Sequence, residues 1–151
     1  MVYNANGECV AVDLRYIDAD ANGGVKTQCQ GEKDGFYWTS CPRRLAAARA
    51  VYIVESPINA LSIETAMAHY PGFACLAIRG VANVVAIDWA FLRGKKAIIA
   101  LDHTDKVNDK TGQRPGMAAA FQLYEALTAA DISARMEDML DWQEGEDIND
   151  V

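Results

Sequence analysis

With 151 residues the chain has room for one domain, or for one domain with a small appendage. A hydrophobic share of 51% against 23% charged residues excludes a disordered chain, and no apolar run approaches the ~18–20 residues of a membrane span. The net charge of -7 argues against strong autonomous nucleic-acid binding by phosphate neutralisation, but it suits a carboxylate-built cation site.

The opening residues do not read as a basic-then-apolar signal. They start inside hairpin-like sequence at residues 2–6, as expected of a piece cut from a longer protein. Residues 8–17 are rich in Val, Leu and Tyr with partial alternation, which predicts a strand. Asn6-Gly7 before it, and Asn22-Gly23-Gly24 after it, are turn signals. Residues 25–30 and 36–39 are two further short strands, so residues 1–48 read as a small antiparallel meander ending in a short helix or turn from Pro42.

From Ala50 the texture changes. Residues 50–54 (AVYIV) form a continuous apolar run, the pattern of a strand buried on both faces. Ser56-Pro57 then supplies an N-cap and a first-turn proline for a helix over 57–69, with Ile58, Leu61, Thr65 and Ala68 on one side. A strand over 74–78, a helix over 81–92 and a strand over 96–101 follow. After a polar loop over 106–115, which carries Asp109, Lys110 and Arg114, come an alanine-rich helix over 116–130 and a strand over 132–136. This alternation predicts an α/β fold with a mostly parallel sheet and right-handed crossovers over residues 49–151.

In open α/β sheets, sites form beyond the carboxyl ends of the strands. Glu55 follows the first buried strand, and Asp102 and Asp105 follow the third. The acidic stretch holding Glu144, Glu146, Asp147 and Asp150 follows the last. Any one of these alone reads equally as a cap or a solvated charge. Three acidic groups on one rim repel one another unless cations bridge them, so the combination predicts Mg²⁺ or Mn²⁺ and phosphoryl-transfer chemistry. The cysteines Cys9, Cys29, Cys41 and Cys75 are scattered without a CxxC pair, which speaks against zinc and for a reduced, cytoplasmic protein.

The stretch from Val51 through Glu55, Ser56 and Pro57 to Leu61 resembles the first motif of the TOPRIM family, a hydrophobic strand, a Glu and a small residue before a helix. Residues 96–105 resemble the second motif, a hydrophobic strand ending in Asp-x-Asp. Gly145-Glu146-Asp147-Ile148-Asn149-Asp150 resembles the Gly-x-Asp-x-Asn-Asp ending of TOPRIM domains in phage and plasmid primases. The resemblance covers about two-thirds of the chain and implies a Rossmann-like sheet flanked by helices. Three departures stand out: the acidic pair is spread to Asp102-x-x-Asp105, Ser56 replaces the usual Gly, and Asn59 replaces the usual Asp.

The opening Ile53-Val54-Glu55-Ser56-Pro57 also resembles type IA topoisomerases, which would carry Asp-x-Asp-x-Glu-Gly-Glu where this chain has Asp102-His103-Thr104-Asp105-Lys106. The meander resembles the strands that precede the TOPRIM fold in DnaG-type primases. There a basic pair, here Arg15 and Lys26, lies near the metal site, and Arg79 is a third cation suited to nucleotide phosphates or template backbone. The resemblance therefore implies the catalytic core of a DNA primase of phage, plasmid or mobile-element type, making RNA primers on single-stranded DNA. Metal ligation falls to Glu55, Asp102, Asp105, Asp147 and Asp150, with Glu55 and Asp102 catalytic. The implied partners are template, ribonucleotides and a replicative helicase reached through other regions. A TOPRIM nuclease and a non-catalytic, RecR-like binding scaffold are the alternatives.

Overall fold

The computed structural model describes residues 1–32, 34–102 and 106–137. Among the described residues the eight strands are β1 (Val2–Tyr3), β2 (Cys9–Arg15), β3 (Thr27–Gly31), β4 (Tyr37–Trp38), β5 (Ala50–Val54), β6 (Phe73–Ala77), β7 (Lys96–Ala100) and β8 (Ser133–Met136). The helices are α1 (Pro42–Ala47), α2 (Pro57–Ala66) and α3 (Pro115–Ala129). All eight strands join one mixed sheet in the order β3-β2-β1-β4-β6-β5-β7-β8. The parallel half runs from β6 to β8, with Val54 opposite both Ala77 and Ala100. The meander is antiparallel and joins that half where Trp38 pairs with Ala77. This is the α/β architecture expected from the sequence.

Strand periodicity sorts the core into two faces. Val51, Ile53, Leu76 and Ile99 point to one side, under α1 and α3, with Leu45, Leu123 and Leu127. Val54, Cys75, Ala77 and Ala100 point to the other, under α2, with Ala60, Ile63 and Trp38. Helix α2 begins as its sequence demands: the Ser56 side chain accepts the Asn59 N–H, and proline occupies the first turn. The buried stripe of α2 differs from the expected one. Asn59, Ala60 and Ile63 face inward, whereas Leu61 is 43% exposed.

The helix expected over residues 81–92 is replaced by two 3₁₀ turns, Val81–Val85 and Trp89–Leu92. Asn83 accounts for the first. Its buried amide donates to the carbonyls of Phe36 and Ile78 and accepts the Gly35 N–H, which pins the segment to the meander and to the end of β6. The Asp88 side chain accepts the Ala90 N–H and starts the second turn afresh. The β-branched residues between them lower the local helix propensity, so the side-chain bonds decide the outcome.

Candidate metal centre and its groove

Strands β5 and β7 are neighbours with aligned ends, so Glu55 and Asp102, one and two residues beyond them, stand at the same rim. Both are half-buried. Asp102 is oriented by the first turn of α2, whose buried Asn59 donates from Nδ2 to Asp102 Oδ1 at 3.1 Å. Asn59 is itself fixed by Ser56, whose hydroxyl donates to Asn59 Oδ1 at 2.7 Å. A chain of three polar side chains thus runs from the end of β5 to the end of β7. The spacing of a serine cap and a polar residue three positions on announces the helix start in sequence; the link from Asn59 to Asp102 spans 43 residues and does not.

Arg79 follows β6 on the other side of β5, and its N–H donates to the Glu55 carbonyl at 2.8 Å. Its backbone is left-handed (φ 67), a conformation that costs a non-glycine residue on the order of 1 kcal/mol and gathers at functional sites. The compensation is a two-pronged ion pair. Arg79 Nε and Nη2 donate to the Asp13 carboxylate at 2.6 and 2.7 Å, and Cys29 Sγ lies 3.0 Å from Nη2. The Arg79 side chain is 5% exposed, so its positive charge is held under the meander rather than in solvent. Burial pulls its pKa down, but the hydrogen bonds and charge of Asp13 outweigh that and leave it raised.

Between β2–β3 and the start of α2 lies a groove of about 730 Å³ whose walls include Asp13, Arg15, Trp38, Glu55, Ser56 and Arg79. Of the three cations expected near the site, Arg15 and Arg79 reach this groove. Lys26 is exposed one residue before β3 and is not among the described residues that line it. Asp105, Asp147 and Asp150 lie outside the described residues, as does His103. Among the described residues no three acidic, histidine or cysteine side chains gather into a metal-binding group. Glu55 and Asp102 supply a hard, all-oxygen pair of donors at one rim, the ligand chemistry that Mg²⁺ and Mn²⁺ take in partial protein shells completed by water and substrate oxygens. Asp13 and Asn59 are the residues around this site that sequence reasoning did not assign to it.

Among the described residues no helix is long and apolar enough to cross a membrane. No curated protein matches the chain significantly. The fold is similar to the crystal structure of the primase fragment of the bacteriophage T7 primase-helicase protein, with a TM-score of 0.61 at 14% identity. The match covers 92% of this chain and 52% of that one, so the chain spans about half the length of that fragment. Residues 50–151, well over half of the sequence, match the Toprim domain model, and the chain therefore belongs to the Toprim family.

Proposed function

We propose that this chain is the catalytic-core segment of a DNA primase, joining ribonucleotides on a single-stranded DNA template with Mg²⁺ or Mn²⁺. The supporting observation is the continuity of the meander with the Toprim sheet. Its strands extend the sheet beyond β6 and wall the groove that holds Glu55, and the likeness to the T7 primase fragment takes in this part too, covering 92% of the chain. Glu55 and Asp102 would hold the metal together with Asp105, Asp147 and Asp150, which the sequence pattern assigns and which lie outside the described residues. Bound there, the metal would polarise phosphoryl oxygens and lower the pKa of the attacking hydroxyl.

The chain's own residues supply the rest. Asn59 fixes the Asp102 carboxylate through Oδ1, so that the carboxylate is preorganised before substrate arrives. Glu55 serves either as a ligand or as the group that takes the proton of the primer 3′-hydroxyl. Of the cations assigned to nucleotide phosphates or template, Arg15 on the groove and the exposed Lys26 would serve, whereas Arg79, assigned with them, has its guanidinium buried on Asp13 and would brace the groove wall. Other regions of the full protein would carry the contacts to a helicase, and the working compartment would be the cytoplasm.

The deciding experiment is primer synthesis by the full protein carrying Asp102→Ala, assayed with Mg²⁺ and with Mn²⁺. Loss of primers by a hundredfold or more is expected, and unchanged synthesis sinks the assignment. Template cleavage by the wild type, in place of primer synthesis, would replace the primase with a nuclease built on the same carboxylates.

A further inference from the structure

The opposite rim of the parallel strands has the opposite charge. Arg49 immediately precedes β5, Lys95 precedes and Lys96 opens β7, and the two strands are tied there by the Lys96 N–H donating to the Arg49 carbonyl at 2.9 Å. Lys95 Nζ donates to the carbonyls of Ala46 and Ala48 at the end of α1, which draws that helix and its Arg44 to the same rim. Arg93 lies further along, donating to the Ala130 carbonyl. The acidic neighbours cancel only part of this charge: Glu64 accepts from Ser40 at 2.6 Å and pairs with Arg44 at 3.9 Å, and Asp131 stands at the outer edge beside β8, two carboxylates against the five cations Arg44, Arg49, Arg93, Lys95 and Lys96.

A cleft of about 550 Å³ opens on this rim, walled by Arg44, His69, Tyr70, Gly72 and Phe73. Tyr70 is 66% exposed, an aromatic face presented to solvent beside the cations. Gly72 has a left-handed backbone (φ 88), and a Cβ there would stand 3.5 Å from the Arg49 guanidinium, an ordinary contact distance, which places that guanidinium beside the cleft wall. The net charge of -7 belongs to the chain as a whole. Within a Debye length of about 8–10 Å, it is this local group of cations that a bound ligand experiences.

We propose that this rim binds single-stranded nucleic acid, with one base stacked on Tyr70 in the cleft and successive phosphates on Arg44, Arg49 and Lys96. Cations alone would serve an acidic peptide equally; an exposed aromatic face inside a cleft of nucleotide size is what single-stranded binders add. Strand β5 separates this rim from Glu55 by five residues at roughly 3.3 Å each, on the order of 17 Å. The surface is therefore separate from the carboxylate site, and it owes nothing to bound metal.

The test is fluorescence anisotropy of 5′-labelled dT15 with the wild-type chain in EDTA, across a salt series. Each single-strand phosphate contact contributes about 0.7 to the slope of log affinity against log salt, so Arg44→Gln/Arg49→Gln/Lys96→Gln should flatten it by about 2. Tyr70→Ala should weaken binding about tenfold and leave the slope alone. Lys96→Gln by itself, an exposed position, should cost about 0.7 of slope, and it decides the matter if the triple variant unfolds. An unaltered slope in these variants overturns the proposal. So does competition by polyglutamate as effective as unlabelled dT15 together with an unaffected Tyr70→Ala, which would make the rim a site for acidic peptide. Asp102→Ala should bind dT15 as the wild type does, which keeps this result independent of the primase reading.

Discussion

The two halves of the sheet are held by different means. In the parallel half every residue of β6 is buried and β5 is walled on both faces by helices, so stability there comes from apolar area removed from water. In the meander β3 is exposed at four of its five positions, and β1 and β4 are two residues long. What secures it is a short set of specific contacts across the seam. These include the Asp13–Arg79 ion pair, the Asn83 amide bonded to Gly35 and Phe36, the Thr39 hydroxyl donating to the Cys75 carbonyl at 2.9 Å, and Tyr37 stacked on Phe91 at 4.6 Å, beside the buried Val2 and Trp38. A half built on burial tolerates loss of any one polar contact; a half built on a few contacts does not. The groove lies along this seam, so its shape depends on the weaker half.

The largest effect is expected from Leu123→Ala, which empties a fully buried position of α3 and should cost about 3–4 kcal/mol by denaturant unfolding. Because the sheet is continuous, hydrogen exchange should quicken in both halves; a meander that keeps its protection would make the halves separate folding units. Next comes Asp13→Ala, which leaves the Arg79 charge buried without this carboxylate. Removing one partner of a buried pair costs about 3–5 kcal/mol, and the 21% exposure of Asp13 puts the expected loss nearer to about 3. Here exchange should quicken in β2 and β3 and stay slow in β5 to β7, and uniform quickening would contradict the comparison.

Tyr37 gives a smaller effect with a pH signature. Burial, with a lesser push from Tyr3, raises its phenol to about 12. Its folded pKa lies above the unfolded value near 10, so folding favours the protonated phenol. That stability is complete below pH 10 and is lost as pH rises through 12. By pH 11 the loss is about 1.4 kcal/mol, and Tyr37→Phe should escape it while matching the wild type in its other alkaline losses. Urea unfolding of the two proteins at pH 9 and pH 11 reads this directly, and equal losses in both would remove Tyr37 from the seam. The smallest change is expected at Phe121, which is 57% exposed on α3 outside both core faces. Phe121→Ser should stay within about 0.5 kcal/mol, and a larger loss would mean that this face is covered.

The parallel half was legible because its strands are short apolar runs bounded by turn and cap signals, a pattern that needs no knowledge of partners. The expected spans over 50–54, 74–78 and 96–101 fall within a residue or so of β5, β6 and β7. Helix faces were less legible. In α2 Asn59, Ala60 and Ile63 sit on the inward side and Leu61 outward, because Asn59 is drawn in by its bond to Asp102, a partner 43 residues away. The 3₁₀ turns could not be foreseen, since Asn83 is drawn out of a helix by partners 47 and 48 residues away.

At the site, local pattern alone placed Glu55 and Asp102 at strand ends, because a buried strand has to end where its apolar run does. The backbone conformation of a short segment is largely fixed by its own side chains, and that much the sequence determined: the parallel strands, the helix starts and the acidic rim beyond them. Only the tertiary structure decided that Asn59 holds Asp102, that Asp13 claims Arg79, and that Arg44, Arg49 and Lys96 meet on the far rim. Each of those pairings joins residues distant in sequence. Their geometry depends on strand order and register, which hydrogen bonds between strands set and no local pattern encodes.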